Sequence, residues 1–314
     1  MNARGVRAGL GRLADPRISL ASLASMLVGG CAAARDGPLS WPWLSLTVAG
    51  VFAVEVAKNA SGELFDFASG ADTGVAEEDR SPFSGGKRVL VDGILSARQT
   101  AWIAGLAYLA AAAAGLIIAA LREPRVLGLG VAGIACAWFY QAPPLRLSYR
   151  GLGELAVAAC YGPLLASGTY LVQRGAVSGE VVALSVPVGM AIASFLLVNE
   201  FPDYRADGAA GKRTLVVRLG RPRAAILLAG LTAATYAGLA AFVLAGLPPL
   251  ALLGLAGAIP AAAAARRVLE APERTARIIQ AQAWMLAAFL LLAVGSGAGV
   301  LLAGASGAAT SPSA

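Results

Sequence analysis

Nine apolar runs, each close to the length that crosses a bilayer, constrain this 314-residue chain more than any other feature. They cover approximately residues 18–34, 41–58, 99–121, 126–141, 154–173, 181–201, 224–247, 249–265 and 279–303. A spanning α-helix needs about 17–25 apolar residues. In lipid the backbone must satisfy its own polar groups, which restricts such runs to helices or closed barrels. The residues are 58% hydrophobic and 14% charged, against roughly 25% charged in a soluble domain. Abundant Ala, Gly and Ser suit close helix packing in lipid. These facts predict an all-α membrane protein, a bundle of about nine transmembrane helices. Residues 1–17 form an N-terminal segment, 18–303 the bundle, and 304–314 a disordered Ala/Gly/Ser/Pro tail.

The formal charge of +7 is explained by topology. With a cytoplasmic N-terminus and nine alternating spans, 21 of the 25 basic residues fall on one side. Only Arg35, Arg122, Arg125 and Arg174 fall on the other. The positive-inside rule then makes the chain a multi-pass cell-membrane protein and puts residues 61–98 and 202–223 on the cytoplasmic face. No nucleic-acid footprint is implied. Cys31, Cys136 and Cys160 lie inside apolar runs without metal spacing and read as packing residues. The chain has no His, which excludes His-based triads and His-ligated metals. The N-terminal Arg residues, apolar run and Leu27–Cys31 bear some likeness to a lipoprotein signal, but the charge alternation needs this helix.

Two acidic stretches stand at the polar ends of apolar runs. The first spans Asn59, Glu63, Asp66, Gly70 and Asp72; the second spans Asn199, Glu200, Asp203 and Asp207. At about 100° per residue, Asn59, Glu63 and Asp66 share one helix face. Gly70 is expected to end that helix. Asn199, Asp203 and Asp207 follow an i, i+4, i+8 spacing, and Pro202 is expected to kink or end theirs. Carboxylates so spaced can converge on a hard cation such as Mg2+, whose remaining ligands are usually phosphate oxygens. Either stretch alone would read as an ordinary solvated helix end. Two copies, both led by Asn and assigned to one membrane face, point to a shared site in a cavity opening toward the cytoplasm. Arg80, Lys87 and Arg88 follow the first stretch and Lys212 and Arg213 the second. Such cations suit both positive-inside anchoring and a diphosphate.

In order and placement the two stretches resemble the motifs of the UbiA superfamily of intramembrane prenyltransferases. Asn59, Asp66, Gly70 and Asp72 match a first motif of the form N-x-x-N-D-x-x-D-x-x-x-G-x-D. Gly62 stands where Asn is usual, and Glu63 where Asp is usual. Asn199, Asp203 and Asp207 match the second motif. The ending Gly211-Lys-Arg-Thr-Leu-Val-Val-Arg-Leu-Gly220 resembles the 1,4-dihydroxy-2-naphthoate branch, which makes menaquinone precursors. So does the loop Tyr140–Glu154.

The resemblance implies transfer of a polyprenyl group from its diphosphate to an aromatic acceptor, with pyrophosphate released. It implies Mg2+ on Asp66, Asp72, Asp203 and Asp207. Lys212, Arg213, Arg80 and Lys87 would act at the leaving group, and Tyr140, Tyr149 and Tyr161 would offer ring faces to the allylic cation. Asn59, Glu63, Arg146 and Asn199 complete the implied substrate contacts.

Other acceptors, including a glycerol phosphate, stay open. The competing class is a secondary transporter, whose acids are expected near mid-span. Here Glu55 is the main acid inside a span. Asp92-Gly93 with Ala97-Arg98 resembles the start of a CDP-alcohol phosphotransferase signature, but the spacing is one residue too long and no second half follows.

Overall fold

The computed structural model describes the backbone of residues 3–309, with the side chains of residues 3–4, 16–18 and 305–309 left aside. All regular structure among the described residues is helical. Helix α1 (Ala3–Leu13) precedes α2 (Pro16–Arg35) and α3 (Trp41–Ser69). A long connection leads to α4 (Ala97–Leu121) and α5 (Val126–Phe139). Helices α6 (Gly153–Ala159) and α7 (Leu165–Arg174) are joined by one π-helical turn, Cys160–Leu164. Then come α8 (Gly179–Ala209), the short α9 (Leu215–Leu219) and α10 (Arg221–Leu244). A 3₁₀ segment, Pro249–Gly257, runs into α11 (Ala258–Glu270), and α12 (Thr275–Ala309) ends the described chain. All nine apolar runs are helical, and among the described residues six helical segments are long and apolar enough to cross a membrane.

One expectation changes. Pro202 does not end α8, which continues from Gly179 to Ala209 through both Pro187 and Pro202. Val198, Phe201 and Pro202 are buried, and the Arg221 guanidinium donates to Phe201 O at 3.0 and 3.2 Å beside the proline turn. Packing thus outweighs the lost backbone bond. The break falls instead at Gly162-Pro163, where Gly162 has φ −105° and ψ −105°. A Cβ on Gly189 of α8 would meet Ala158 O, and the missing side chain lets α8 close against this distorted turn. In the segment expected as a tail, α12 continues to Ala309, and residues 310–314 lie outside the described residues.

The core gathers around α8, with Leu197, Phe201 and Leu228 packed near Phe289 and Leu292. Helix α3 buries its C-terminal half, from Glu55 to Asp66, while Trp41 at its start is exposed. That asymmetry brings the first acidic stretch inward. On α4, Trp102, Leu106, Leu109 and Leu116 face outward, as apolar side chains do where lipid replaces water.

Residues 70–96 fold over the end of the bundle that carries the two acidic stretches. Asp79 accepts from Thr275 Oγ1 at 2.8 Å and pairs with Arg205 at 3.1 Å, fastening the connection to α12 and α8. Ser81 Oγ donates to Gln282 Oε1 at 2.6 Å. The Phe83 ring meets Phe195 edge-on at 6.1 Å. Asp92 is taken up by surface ion pairs with Arg12 at 2.6 Å and Arg88 at 3.2 Å.

Candidate active site

The two acidic stretches meet. Asp66, Asp72, Asp203 and Asp207 line one polar cavity of about 980 Å³, together with Asn59, Glu63, Asn199 and Lys212. Gly70 ends α3 in a left-handed conformation, φ 85°, and turns the chain so that Asp72 comes back under the bundle. Helix α8 contributes Asn199, Asp203 and Asp207 from one face, as the spacing requires.

Lys212 stands between the stretches. Its Nζ is 3.3 Å from Asp66 Oδ2 and 3.4 Å from Asp207 Oδ1. Burial opposes its charge, but Asp207, Asp66, Asp203 and Asp72 outweigh burial and hold the ammonium well above its ordinary range. Asp72 lies in the connection beyond α3. Burial, with the charges of Asp66 and Glu63 added, pushes its carboxyl up to about 8.

Asp66 is the most connected of the four. Its Oδ1 accepts from Tyr149 Oη at 2.7 Å, and its Oδ2 from Gln141 Nε2 at 2.8 Å. Tyr149 Oη also lies 2.7 Å from Ser69 Oγ. Asp203 Oδ2 accepts from the Gly85 amide at 3.0 Å. Asp72 Oδ2, Asp203 Oδ1 and Asn199 Oδ1 are buried without a hydrogen-bond partner. Buried acceptors are normally satisfied, so three orphans around one cavity mark a place built for something else. Among the described residues no three acidic, Cys or His side chains converge closely enough to hold one ion as they stand.

Several expected residues are placed differently. Glu63 lines the cavity, but its two oxygens accept the backbone amides of Lys87, Arg88 and Val89, the last at 2.9 Å. Arg80 and Arg213 are exposed and do not line the cavity. Nor does Arg146, whose guanidinium lies 5.2 Å from the Tyr149 ring centroid. Each is drawn off by solvent or by a ring face. Lys87 lines the cavity but pairs with Asp15 at 2.5 Å, and Asn59 Nδ2 donates to Leu13 O at 2.7 Å. Tyr161 faces the neighbouring apolar cavity.

That second cavity, about 1130 Å³, lies among α3, α4, α5 and the π-turn, lined by residues such as Val54, Ile118, Leu129 and Leu164. Lys58 and Tyr140 line both cavities. Lys58 Nζ sits 3.4 Å from Tyr161 Oη, 5.9 Å from the Tyr140 ring centroid and 5.8 Å from that of Tyr161. The sequence reading missed Lys58 and Gln141 as site residues. Lys58 directly precedes Asn59 and was absorbed into the positive-inside pattern. Gln141 sits beside Tyr140 in the connecting loop, where nothing local shows which way it reaches.

The comparisons agree with this geometry. The family model for the UbiA prenyltransferase family matches residues 22–291. The 1,4-dihydroxy-2-naphthoate octaprenyltransferase of Mycobacterium tuberculosis is 33% identical over 221 residues, covering 70% of this chain and 73% of the relative. The 2-carboxy-1,4-naphthoquinone phytyltransferase of Arabidopsis thaliana is 31% identical over 179 residues, covering 54% of this chain and 44% of the relative. Among solved structures, the apo form of a UbiA homolog from Aeropyrum pernix K1 superposes with a TM-score of 0.66 at 21% identity. It covers 90% of this chain and 97% of that one. A UbiA homolog from Archaeoglobus fulgidus bound to GPP and Mg2+ gives 0.61 at 16% identity, covering 90% and 99%. The chain belongs to the UbiA prenyltransferase family, and is a prenyltransferase.

Proposed function

We propose that this enzyme moves a polyprenyl group from a polyprenyl diphosphate to an aromatic quinone precursor, 1,4-dihydroxy-2-naphthoate or a near relative, as a step toward menaquinone. One observation carries the proposal. An acidic cavity and an apolar cavity share Lys58 and Tyr140, the shape required by a ligand with an anionic head and a long hydrocarbon tail. The naphthoate assignment rests on the named relatives and on the Gly211–Gly220 segment.

The donor set fits Mg2+. Asp66, Asp72, Asp203 and Asp207 offer hard oxygens, and Asp72 Oδ2 and Asp203 Oδ1 are buried with no protein donor. Bound there with the diphosphate, Mg2+ would act as a Lewis acid on the leaving group. Lys212 adds a permanent positive charge at the same place. As the allylic C–O bond breaks, the electron pair leaves with the pyrophosphate, and the Tyr140 and Tyr161 rings face the carbon end. The apolar lining keeps water from that carbon until the acceptor ring attacks it, and the attacked ring carbon then sheds its proton, or its carboxylate as CO2, to restore the aromatic ring. Tyr149 and Gln141 hold the Asp66 carboxylate in orientation.

The bundle is read as nine spans with this cavity toward the cytoplasm. Purified enzyme in nanodiscs, given labelled polyprenyl diphosphate, Mg2+ and a panel of acceptors, tests the function. Pyrophosphate release is expected only with a dihydroxynaphthoate-type acceptor, and Asp66→Asn or Asp203→Asn should each lower turnover about 100-fold. Release with a glycerol phosphate alone would reassign the acceptor. No consumption of any allylic diphosphate would end the proposal.

A further inference from the structure

Position 62 is bare for a reason that lies across the cavity. A Cβ on Gly62 would collide with Gln141 Oε1 and stand 2.7 Å from Gln141 Cδ and Nε2. The Gln141 amide therefore occupies the volume that any side chain at 62 would take, against the naked backbone of α3. From there Nε2 donates to Asp66 Oδ2 at 2.8 Å. Asp66 is four residues beyond Gly62, one helical turn along the same face. In the motif that this stretch resembles, position 62 carries an Asn amide. Here the amide reaches the same face of α3 from the loop after α5.

We infer that Gln141 is a positioning residue for Asp66, and that Gly62 and Gln141 form a reciprocal pair in which the amide is delivered from the loop instead of from α3. The inference rests on the proposed role of Asp66 as a metal-holding carboxylate. A neutral amide is suited to this work because it fixes a carboxylate oxygen without discharging it. Lys212, 3.3 Å from the same oxygen, contributes charge. Tyr149 holds the other oxygen at 2.7 Å. With both oxygens engaged, the carboxylate plane has little freedom, which is what partners behind a metal ligand provide.

The test uses Mn2+ as the probe, measured by electron paramagnetic resonance on full-length enzyme in nanodiscs with an unreactive prenyl thiolodiphosphate. Gln141→Ala should weaken Mn2+ binding about 10- to 100-fold and raise the Mg2+ needed for half-maximal turnover by a similar factor. Gln141→Glu keeps the shape but replaces the donor by an acceptor, so it should lose at least as much with no cavity opened. Gly62→Asn should also lose binding, because its side chain meets Gln141. The double variant Gly62→Asn/Gln141→Ala, with the amide returned to α3, should recover to within about fivefold of the parent.

Unchanged Mn2+ affinity in Gln141→Ala and Gln141→Glu would overturn the inference. So would a double variant no better than Gly62→Asn alone. Asp66→Asn separates the two levels of argument. If it keeps full turnover, the reading of Asp66 fails and this inference with it. If it is inactive while the Gln141 variants bind Mn2+ normally, the inference alone fails.

Discussion

Gly86→Ala is the sharpest single perturbation of the acidic cavity. Gly86 has φ +72°, and a Cβ there would lie 2.5 Å from Asp72 Oδ2 and 2.6 Å from Asp72 Cγ and Oδ1. Ordinary van der Waals contact begins at 3.4 Å, so the carboxylate has to withdraw by roughly 0.9 Å. A misplacement of about 1 Å in a catalytic group can cost on the order of 100-fold in rate, equivalent to about 2.7 kcal/mol. The left-handed backbone adds roughly 1–2 kcal/mol of strain to any non-glycine residue. A control in the same connection removes that second contribution. Gly93 has φ +64° with nothing within 4 Å of its Cβ, so Gly93→Ala carries the strain without the contact. Turnover by pyrophosphate release and thermal unfolding in nanodiscs are measured for both. The expected result is similar melting temperatures for the two variants, with Gly86→Ala about 100-fold slower than Gly93→Ala. Rates within threefold of each other would refute the claim that Asp72 must stand where it does.

Three further outcomes are expected. Glu63→Ala strips the acceptor from the amides of Lys87, Arg88 and Val89. At about 1–3 kcal/mol for each unsatisfied buried donor, it should lower the melting temperature and expose residues 80–95 to protease. The Mg2+ requirement of the remaining activity should be unchanged; a large rise would return Glu63 to the metal site. Asp72, with its carboxyl at about 8, is mostly protonated at neutral pH and must lose that proton to hold a cation. The Mg2+ concentration for half-maximal activity should rise as pH falls below 8, approaching tenfold per unit, and level off above it. By the same shift the unliganded fold, which binds this proton more tightly than the unfolded chain, should lose stability as pH rises through 8. A flat Mg2+ titration from pH 6.5 to 9 would contradict both. In a background with all three cysteines replaced, Glu78→Cys and Ala209→Cys should label from the same, cytoplasmic, side.

Apolar length and helix-face spacing are local properties, and the sequence alone settled which runs are helical and which side chains share a face. The helical runs follow from backbone satisfaction in lipid. Asn199, Asp203 and Asp207 share a face of α8 because four residues make about one turn. Gly70 ends α3 because it accepts a left-handed backbone. Tertiary structure decided everything set by competition between distant groups. Pro202 stays inside α8 because buried neighbours and Arg221, nineteen positions on in the chain, hold the turn. Glu63 looked like part of the acidic motif, yet three amides from the connection claim it. Arg80, Arg146 and Arg213 carry the right charge, but the backbone aims them elsewhere. Lys212 alone of the expected cations reaches into the carboxylate cluster. Gln141 became visible only when α3 and the loop after α5 were seen to interlock. A glycine's empty side of a helix says nothing in sequence about which side chain, seventy-nine residues away, fills it.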